Sequence, residues 1–308
     1  MMSEDFESGE TRLMCCASCG IKANDDIKLK KCTACNLVKY CGVKCQKEHR
    51  SKHKRECKKR AAELRDEILF KQPESSHLGD CPICCLPISI DVEKSIMMAC
   101  CSQQICKGCS YTNAMLEIEK GLAQRCPFCR HPKPETQKDG EKNCMKRVEA
   151  NDPVALREFG NRRLSERDHV GALEYWTKAA ELGDSVAHYQ LHCSYQDGEG
   201  VEMDMKKAIY HAEQAAIGGN PRARFNLGYE EFGNHRIERA VKHWIIAANL
   251  GCDLSVEALR TGYTVGVVQK EDFAAALRAH KAALDATKSP QREEAEAKWY
   301  DDLVEERN

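Results

Sequence analysis

Cys81-Pro-Ile-Cys84, Cys100-Cys101, Cys106-Lys-Gly-Cys109 and Cys126-Pro-Phe-Cys129-Arg130 fall within a stretch of 50 residues. Each C-x2-C pair can pinch one ion between two thiolates, which is the spacing of metal ligands. A loop-rich segment of this length cannot bury enough apolar surface to fold on its own core. Tetrahedral sites that tie its loops together supply the missing free energy, roughly 10 kcal/mol or more for each structural zinc.

Outward from this stretch the cysteines are unevenly spread: 17 of the 20 lie between Cys15 and Cys129, and only Cys144, Cys193 and Cys252 lie beyond. The 308 residues therefore divide into a metal-rich first part and an ordinary second part, with room for two or three domains at about 150 residues each. The acidic start, MMSEDFESGETR, has no apolar run, and no 18 consecutive apolar residues occur anywhere. The sequence thus predicts no secretory signal, no membrane segment and an intracellular protein, cytoplasmic or nuclear, whose paired cysteines hold metal rather than form disulfides. The net charge of -1 conceals 22 Lys and Arg against 17 Asp and Glu in residues 1 to 131, a formal +5. A four-cysteine zinc site keeps a formal charge of about -2, so much of that basic excess is cancelled locally.

Residues 1–14 are polar, acidic and aperiodic, and are expected to be disordered. Cys16-x2-Cys19, Cys32-x2-Cys35, Cys41-x3-Cys45 and His53-x3-Cys57 then offer eight ligands, enough for two tetrahedral zinc ions. From Gly42 the chain runs to Phe70 without Gly or Pro and is rich in helix formers, which predicts a helix ending before Pro73. On that helix Cys45 and His53 are about 12 Å apart at 1.5 Å per residue, whereas ligands of one zinc lie within roughly 4 Å of each other. The Cys41/Cys45 and His53/Cys57 pairs must hold different ions. Spacing alone does not say which upstream pair joins which.

This stretch resembles the MYND zinc finger from Cys16 to Cys57, including Tyr40-Cys41 and Cys45-Gln46. The resemblance implies interleaved sites, with Cys16, Cys19, Cys41 and Cys45 on one ion and Cys32, Cys35, His53 and Cys57 on the other. It favours His53 over His49 and leaves Cys15 a spare thiol. Arg50 stands where that family commonly has a Trp used to bind proline-rich peptides, a departure from the pattern. The run from Lys44 to Arg60 carries nine Lys and Arg and two Glu but no aromatic residue for stacking, so it reads as a solvated helix face and argues against a nucleic-acid partner. The predicted division is a finger with its helix over 15–60, then helix and linker over 61–79.

The central stretch, 80–131, resembles a RING finger. The resemblance implies a cross-brace, with Cys81, Cys84, Cys106 and Cys109 on one ion and Cys126, Cys129, Cys101 and one further ligand on the other. Gln103 stands where the usual His would be; a neutral amide is a poor zinc ligand, which puts Cys100 ahead of Gln103 as that ligand. Cys85 lies outside the set. In ubiquitin ligases of this kind, the residue between the first ligands and the proline of the last loop dock the conjugating enzyme, and a cation after the last ligand bridges it to ubiquitin. Those positions are Ile83, Pro127 and Arg130 here.

A linker over 132–150, helical late, leads to a repeat. Ala155, Ala187 and Ala223 recur, as do Ala172, Ala208 and Ala240, and the pairs Ala179-Ala180, Ala215-Ala216 and Ala247-Ala248. Gly183, Gly219 and Gly251 close the units where a helix end wants a left-handed residue, and Asp152-Pro153 and Asn220-Pro221 open the first and third. Each unit reads as two antiparallel helices, with small residues at the crossings and Leu156, Leu191, Leu227, Trp176, Tyr210 and Trp244 filling the remainder. The units resemble Sel-one-like repeats, relatives of the tetratricopeptide repeat. They are expected over 151–286, with a degenerate fourth pair from about Asp253 to Ala286 and a polar helical tail over 287–308. His188, His192 and Cys193 lack an acidic partner and read as surface or packing residues.

The fold class expected is thus small zinc-stabilised modules, MYND and RING-like, followed by an all-α helical-repeat solenoid. About four zinc ions are the expected cofactors. The resemblances imply a ubiquitin ligase that recruits a conjugating enzyme through the RING-like module and holds a substrate or scaffold protein through the repeats or the MYND finger, positioning the reactants without a nucleophile of its own. The alternatives are a non-enzymatic adaptor and a transcription or chromatin cofactor.

Overall fold

The computed structural model describes residues 15–305, with side chains to Lys298; the expectation for residues 1–14 lies outside them. The chain divides between Lys71 and Gln72 into two compact units.

The first unit pairs two short strands, β1 (Lys30–Lys31) and β2 (Lys39–Tyr40), antiparallel. They deliver the chain to α1, a continuous helix over Val43–Leu69. Only His53 and Leu69 of its 27 residues are buried. The charged remainder is laced with the solvent-screened pairs Arg60–Glu63, Arg60–Glu67 and Lys59–Glu63. The core is Cys16, Cys32, Cys35 and Tyr40, mostly donor atoms and one ring.

The second unit begins with a hairpin of β3 (Ser95–Met98) and β4 (Gln103–Cys106), in register Ser95 to Cys106, followed by α2 (Lys107–Glu119). Ile88 and Ile105 are buried among Cys81, Cys106 and Cys109. The expected late helix of the linker starts early, as α3 (Gln137–Glu149), because Thr136 caps it by accepting from the Asp139 N–H.

Three antiparallel pairs follow: α4 (Pro153–Ser165) with α5 (His169–Glu181), α6 (Ser185–Asp197) with α7 (Met205–Ile217), and α8 (Pro221–Gly233) with α9 (Ile237–Asn249). Asp152, Asp184 and Asn220 cap the first helix of each pair through their side chains. Gly183, Gly219 and Gly251 adopt φ of 84° to 90°, the left-handed conformation their position required. The degenerate fourth pair is α10 (Asp253–Thr264) and α11 (Lys270–Ala286), and the chain ends in α12 (Pro290–Glu305).

Ala155, Ala172, Ala179, Ala187, Ala208, Ala215, Ala223, Ala240 and Ala247 are almost wholly buried, so the helices cross at alanine contacts. Tyr210 corrects the expectation: it is 54% exposed, and Ala212 occupies the place that Trp176 and Trp244 hold in the neighbouring units. The compensation lies one helix away. Gly160 and Gly228 make room for those indoles, since a Cβ on either would stand 2.5 Å or less from its Trp. The equivalent residue of the middle unit is His192, fully buried, with Nδ1 at 3.1 Å from the Ala208 carbonyl and Nε2 at 3.0 Å from the Asn226 amide. Two units use Gly with Trp; the middle one uses His with Ala.

Two segments read as linker or tail are held in place. Ser75 to His77 lies over the left-handed turn at Gly219, with the His77 N–H donating to the Gly219 carbonyl at 3.2 Å. Gln72 accepts from the Asn249 amide at 3.0 Å. The final helix α12 packs on α2, some 180 residues earlier in the chain, rather than standing free.

Candidate metal centres

Four of the C-x2-C pairs build the same turn. In each, the residue after the second cysteine has a positive φ and its N–H donates to the carbonyl of the first cysteine: Gly20 to Cys16 at 2.8 Å, Asn36 to Cys32 at 2.9 Å, Cys85 to Cys81 at 2.9 Å and Arg130 to Cys126 at 2.9 Å. Such a turn points both side chains to one side with backbone N–H groups beside the sulfurs. Gly and Asn suit the left-handed conformation; Cys85 at φ 55° and Arg130 at 62° are strained by it.

These turns bring the sixteen proposed donors into four groups, with the donor atoms of each group all within 4.8 Å of one another. The groups are Cys16, Cys19, Cys41 and Cys45; Cys32, Cys35, His53 and Cys57; Cys81, Cys84, Cys106 and Cys109; and Cys100, Cys101, Cys126 and Cys129. Close approaches include Cys19 to Cys41 at 3.6 Å, Cys41 to Cys45 at 3.5 Å, Cys32 to Cys57 at 3.8 Å and Cys84 to Cys106 at 3.8 Å. A tetrahedron with Zn–S bonds of about 2.3 Å has edges of about 3.8 Å, so the spacing fits zinc.

Backbone geometry bears on the points that spacing left open. His53 Nε2 lies 3.2 Å from Cys35 Sγ, while His49 is used elsewhere, its Nδ1 at 3.1 Å from the Tyr40 hydroxyl. The adjacent Cys100 and Cys101 reach one point because Ser102 takes φ 58° and the Cys101 and Ser102 N–H groups both donate to the Met98 carbonyl. Cys100 Sγ lies 3.4 Å from Cys129 and Cys101 Sγ 3.9 Å from Cys126, whereas Gln103 is committed to β4 opposite Met98.

The thiols are electrostatically frustrated unless a cation joins them. Burial pushes Cys16 up, but the N–H groups of Cys19, Cys41 and Ser18 outweigh it and lower it to about 6; Cys32 is lowered to about 6 by Ala34 and Cys35 in the same way. Their neighbours pay in the opposite direction. Cys41 is pushed up to about 12 by the facing sulfurs of Cys45, Cys16 and Cys19, Cys57 to about 12 and Cys101 to about 11 by burial and crowding. A divalent ion removes this conflict for every donor at once, and the donor set therefore fits zinc. All twenty cysteines are free of disulfides.

Of the three docking candidates, Ile83 is 41% exposed and Pro127 is half-buried. Phe128, which sequence reasoning passed over, is 47% exposed; the signal was its place beside Pro127 inside a C-x2-C pair. Arg130 is engaged: Nη2 lies 3.2 Å from the buried Glu117 carboxylate and Nη1 donates to Asn113 Oδ1 at 3.3 Å. Glu117 also accepts from the Arg125 N–H at 2.9 Å, so it ties the last zinc loop to α2. In the repeats, His188 Nδ1 meets His211 Nδ1 at 2.9 Å and His192 is core, both in keeping with packing roles.

Among known proteins, the MYND finger family matches residues 16–57, and the Sel1 repeat family matches 156–184, 185–220 and 221–252. A protein of Ostreid herpesvirus 1 (isolate France) named for a RING finger, ORF96, is 40% identical over 53 residues, 17% of this chain and 22% of the viral one. Chitin synthase regulatory factor 4 of Schizosaccharomyces pombe is 32% identical over 89 residues, 29% of this chain and 14% of that one. The chain thus spans less than a quarter of either relative. Among solved structures, c5321, a protective antigen of uropathogenic Escherichia coli with an SLR fold, is 26% identical with TM-score 0.41, covering 48% of this chain and 33% of its own. A Sel1 repeat protein from Oxalobacter formigenes is 24% identical with TM-score 0.43, covering 56% of this chain and 70% of its own. No helix among the described residues is long and apolar enough to cross a membrane. The chain carries a stretch that matches the MYND finger, four donor groups that fit zinc and three stretches that match the Sel1 repeat.

Proposed function

We propose that the protein is a RING-type ubiquitin ligase working inside a reducing compartment. The RING-like module over residues 80–131 recruits a ubiquitin-conjugating enzyme, and the repeats or the MYND finger hold the substrate. Its four zinc ions sit in the four donor groups described above. The observation that carries the reading is the interleaving of the second pair of groups along the chain. Cys81 and Cys84 join Cys106 and Cys109 across the Cys100-Cys101 pair, which in turn joins Cys126 and Cys129, leaving Ile83 and Phe128 exposed on the two zinc loops. Large apolar side chains on rigid, metal-fixed loops lose little entropy when a partner covers them. No nucleophile is required of the chain, since holding a charged conjugating enzyme in a reactive pose is itself catalytic.

The test is ubiquitin-chain formation by the full-length protein with a panel of conjugating enzymes, beside a control RING protein. Ile83→Ala is expected to weaken enzyme binding about tenfold, the loss of roughly 1 to 2 kcal/mol of apolar contact. Arg130→Ala is expected to slow transfer from the charged enzyme while leaving affinity for the uncharged one unchanged. Zinc content must match the parent protein in both. A second reading, a non-enzymatic adaptor, draws on the engagement of Arg130 by Glu117 and Asn113, which occupies the cation the ligase reading needs. No chains across the panel, with the control active, would select the adaptor.

A further inference from the structure

The C-terminal helix α12 carries one side chain into the RING-like module. Arg292 Nη2 donates to Cys84 Sγ at 3.1 Å and to the Leu86 carbonyl at 3.1 Å, and Nη1 donates to the Pro87 carbonyl at 2.7 Å and the Thr287 carbonyl at 2.7 Å. One guanidinium thereby joins a sulfur of the third donor group, the loop that follows it, and the end of α11. The approach is built from both sides. A Cβ on Gly108 in α2 would stand 2.9 Å from the Arg292 Cα, so glycine is what lets the helix come this near. Ala295, one turn on, is 3% exposed, and Glu296 pairs with Lys94 at 3.1 Å. This is more than a polar tail requires.

We propose that Arg292 is a positioning residue of the zinc site formed by Cys81, Cys84, Cys106 and Cys109, so that the module is complete only when the last helix returns to it. Four thiolates around a divalent ion keep a formal charge of about -2. A cation hydrogen-bonded to one sulfur lowers that excess and fixes the sulfur's direction, the part that outer-shell partners play at metal sites. The planar fork of arginine matters, because its donors reach a sulfur and three carbonyls from two nitrogens. A lysine ammonium has a single nitrogen and cannot cover both sets. The proposal rests on zinc filling this group and is independent of any ligase activity.

The full-length protein is tested with its zinc, by release to a chromogenic chelator, and in its cobalt-loaded form, by the thiolate-to-cobalt charge-transfer absorption. In Arg292→Ala one of four zinc equivalents is expected to leave about 10 to 100 times faster than in the parent, with the other three unchanged. The cobalt band is expected to move to lower energy, as a sulfur that has lost a cationic hydrogen bond gives up charge more easily. Arg292→Lys should fall between the two, and Glu296→Ala, which removes only the neighbouring ion pair, should match the parent. Native release and a native band in both Arg292 variants overturn the proposal. So does faster release with an unmoved band, or an equal acceleration in Glu296→Ala, because a loosened helix would give either. If Arg292→Ala does not fold, Arg292→Lys decides alone, and parental behaviour in it overturns the proposal.

Discussion

The zinc-bound stretches and the repeats solve the same problem with opposite means. Around Cys81 the buried side chains are three cysteines and two isoleucines, and around Cys16 they are three cysteines and a tyrosine. In the repeats the buried set is alanine, leucine and tryptophan, with helices close enough that glycine is needed where an indole passes. In the first case a few strong, directional bonds hold loops that have almost no apolar area. In the second, many weak contacts add along the stack. The first should therefore fail all at once when one component is withdrawn, and the second should fail in steps.

Withdrawing zinc is the largest test of that contrast. A strong chelator is expected to erase hydrogen-exchange protection across 15–60 and 80–131, each structural zinc carrying roughly 10 kcal/mol or more, while α4 to α9 keep theirs. Equal collapse of the repeats would break the contrast and show that the packing of α12 on α2 and of Ser75 to His77 on Gly219 makes the second unit one cooperative block.

Acid should act on the repeats by a different route. Burial pushes His77 down to about 4, and burial together with the nearby His188, His192 and Lys207 does the same to His211. Burial, with Arg224 and Arg239, takes His243 to about 3. These rings stay neutral in the folded chain at a pH where the unfolded chain, with histidines near 6.5, takes up protons. Their contribution is fully present above about pH 6.5 and is lost as pH falls toward 4, with a slope of up to about 1.4 kcal/mol per pH unit for each ring. The measurement is the urea midpoint followed by Trp176 and Trp244 fluorescence in a Trp299→Phe background. Adding His211→Gln should flatten the slope by about one histidine's share.

How much of this was legible in the sequence depends on whether the cause was local. The capping residues Asp152 and Asn220, and Gly183, Gly219 and Gly251, act within a few residues of themselves, so their reading stands in the structure. Spacing could pair the ligands only by exclusion, and the choice of Cys100 over Gln103 required the backbone at Ser102. Tyr210 was misread because alignment by neighbouring alanines is good to a residue or two, while burial changes sides within that distance. Its exposure and the exchange of Gly with Trp for His with Ala become visible only when helices are paired in space. Arg292 had no local signal at all, lying 208 residues from Cys84.

That exchange gives a third test, one unit against its neighbours. Gly228→Ala should cost about 1 to 3 kcal/mol, because a Cβ would stand 2.2 Å from the Trp244 ring nitrogen. His192→Ala should cost about 2 to 4 kcal/mol by opening a cavity and stranding the Asn226 amide. Combining His192→Gly with Ala212→Trp would convert the middle unit to the pattern of its neighbours. A double-mutant cycle on thermal midpoints should return a favourable coupling of about 1 to 3 kcal/mol, and additive losses would mean that the two sites are not equivalent after all.

The smallest expected effect is that of Cys85, in a zinc turn, set against its counterpart Cys101. Cys85 and Cys101 are both thiols next to a ligand cysteine, yet only Cys101 belongs to a donor group. Cys101→Ser should cost a zinc ion, and Cys85→Ser none. Cys85 has a second property: it sits at φ 55° in a turn whose counterpart after Cys19 is Gly20. A non-glycine residue held there costs roughly 1 kcal/mol, and the Cys85 side chain is exposed, so little packing is lost when it is removed. Cys85→Gly should therefore raise the stability of the stretch over 80–131 by about 0.5 to 1 kcal/mol, the lower figure allowing for the greater freedom of glycine in the unfolded chain. Slower zinc release than in the parent would be its signature. Release at the parental rate would mean that the turn is held by its metal so firmly that backbone strain no longer registers, which would place the zinc loops still further from the stepwise behaviour of the repeats.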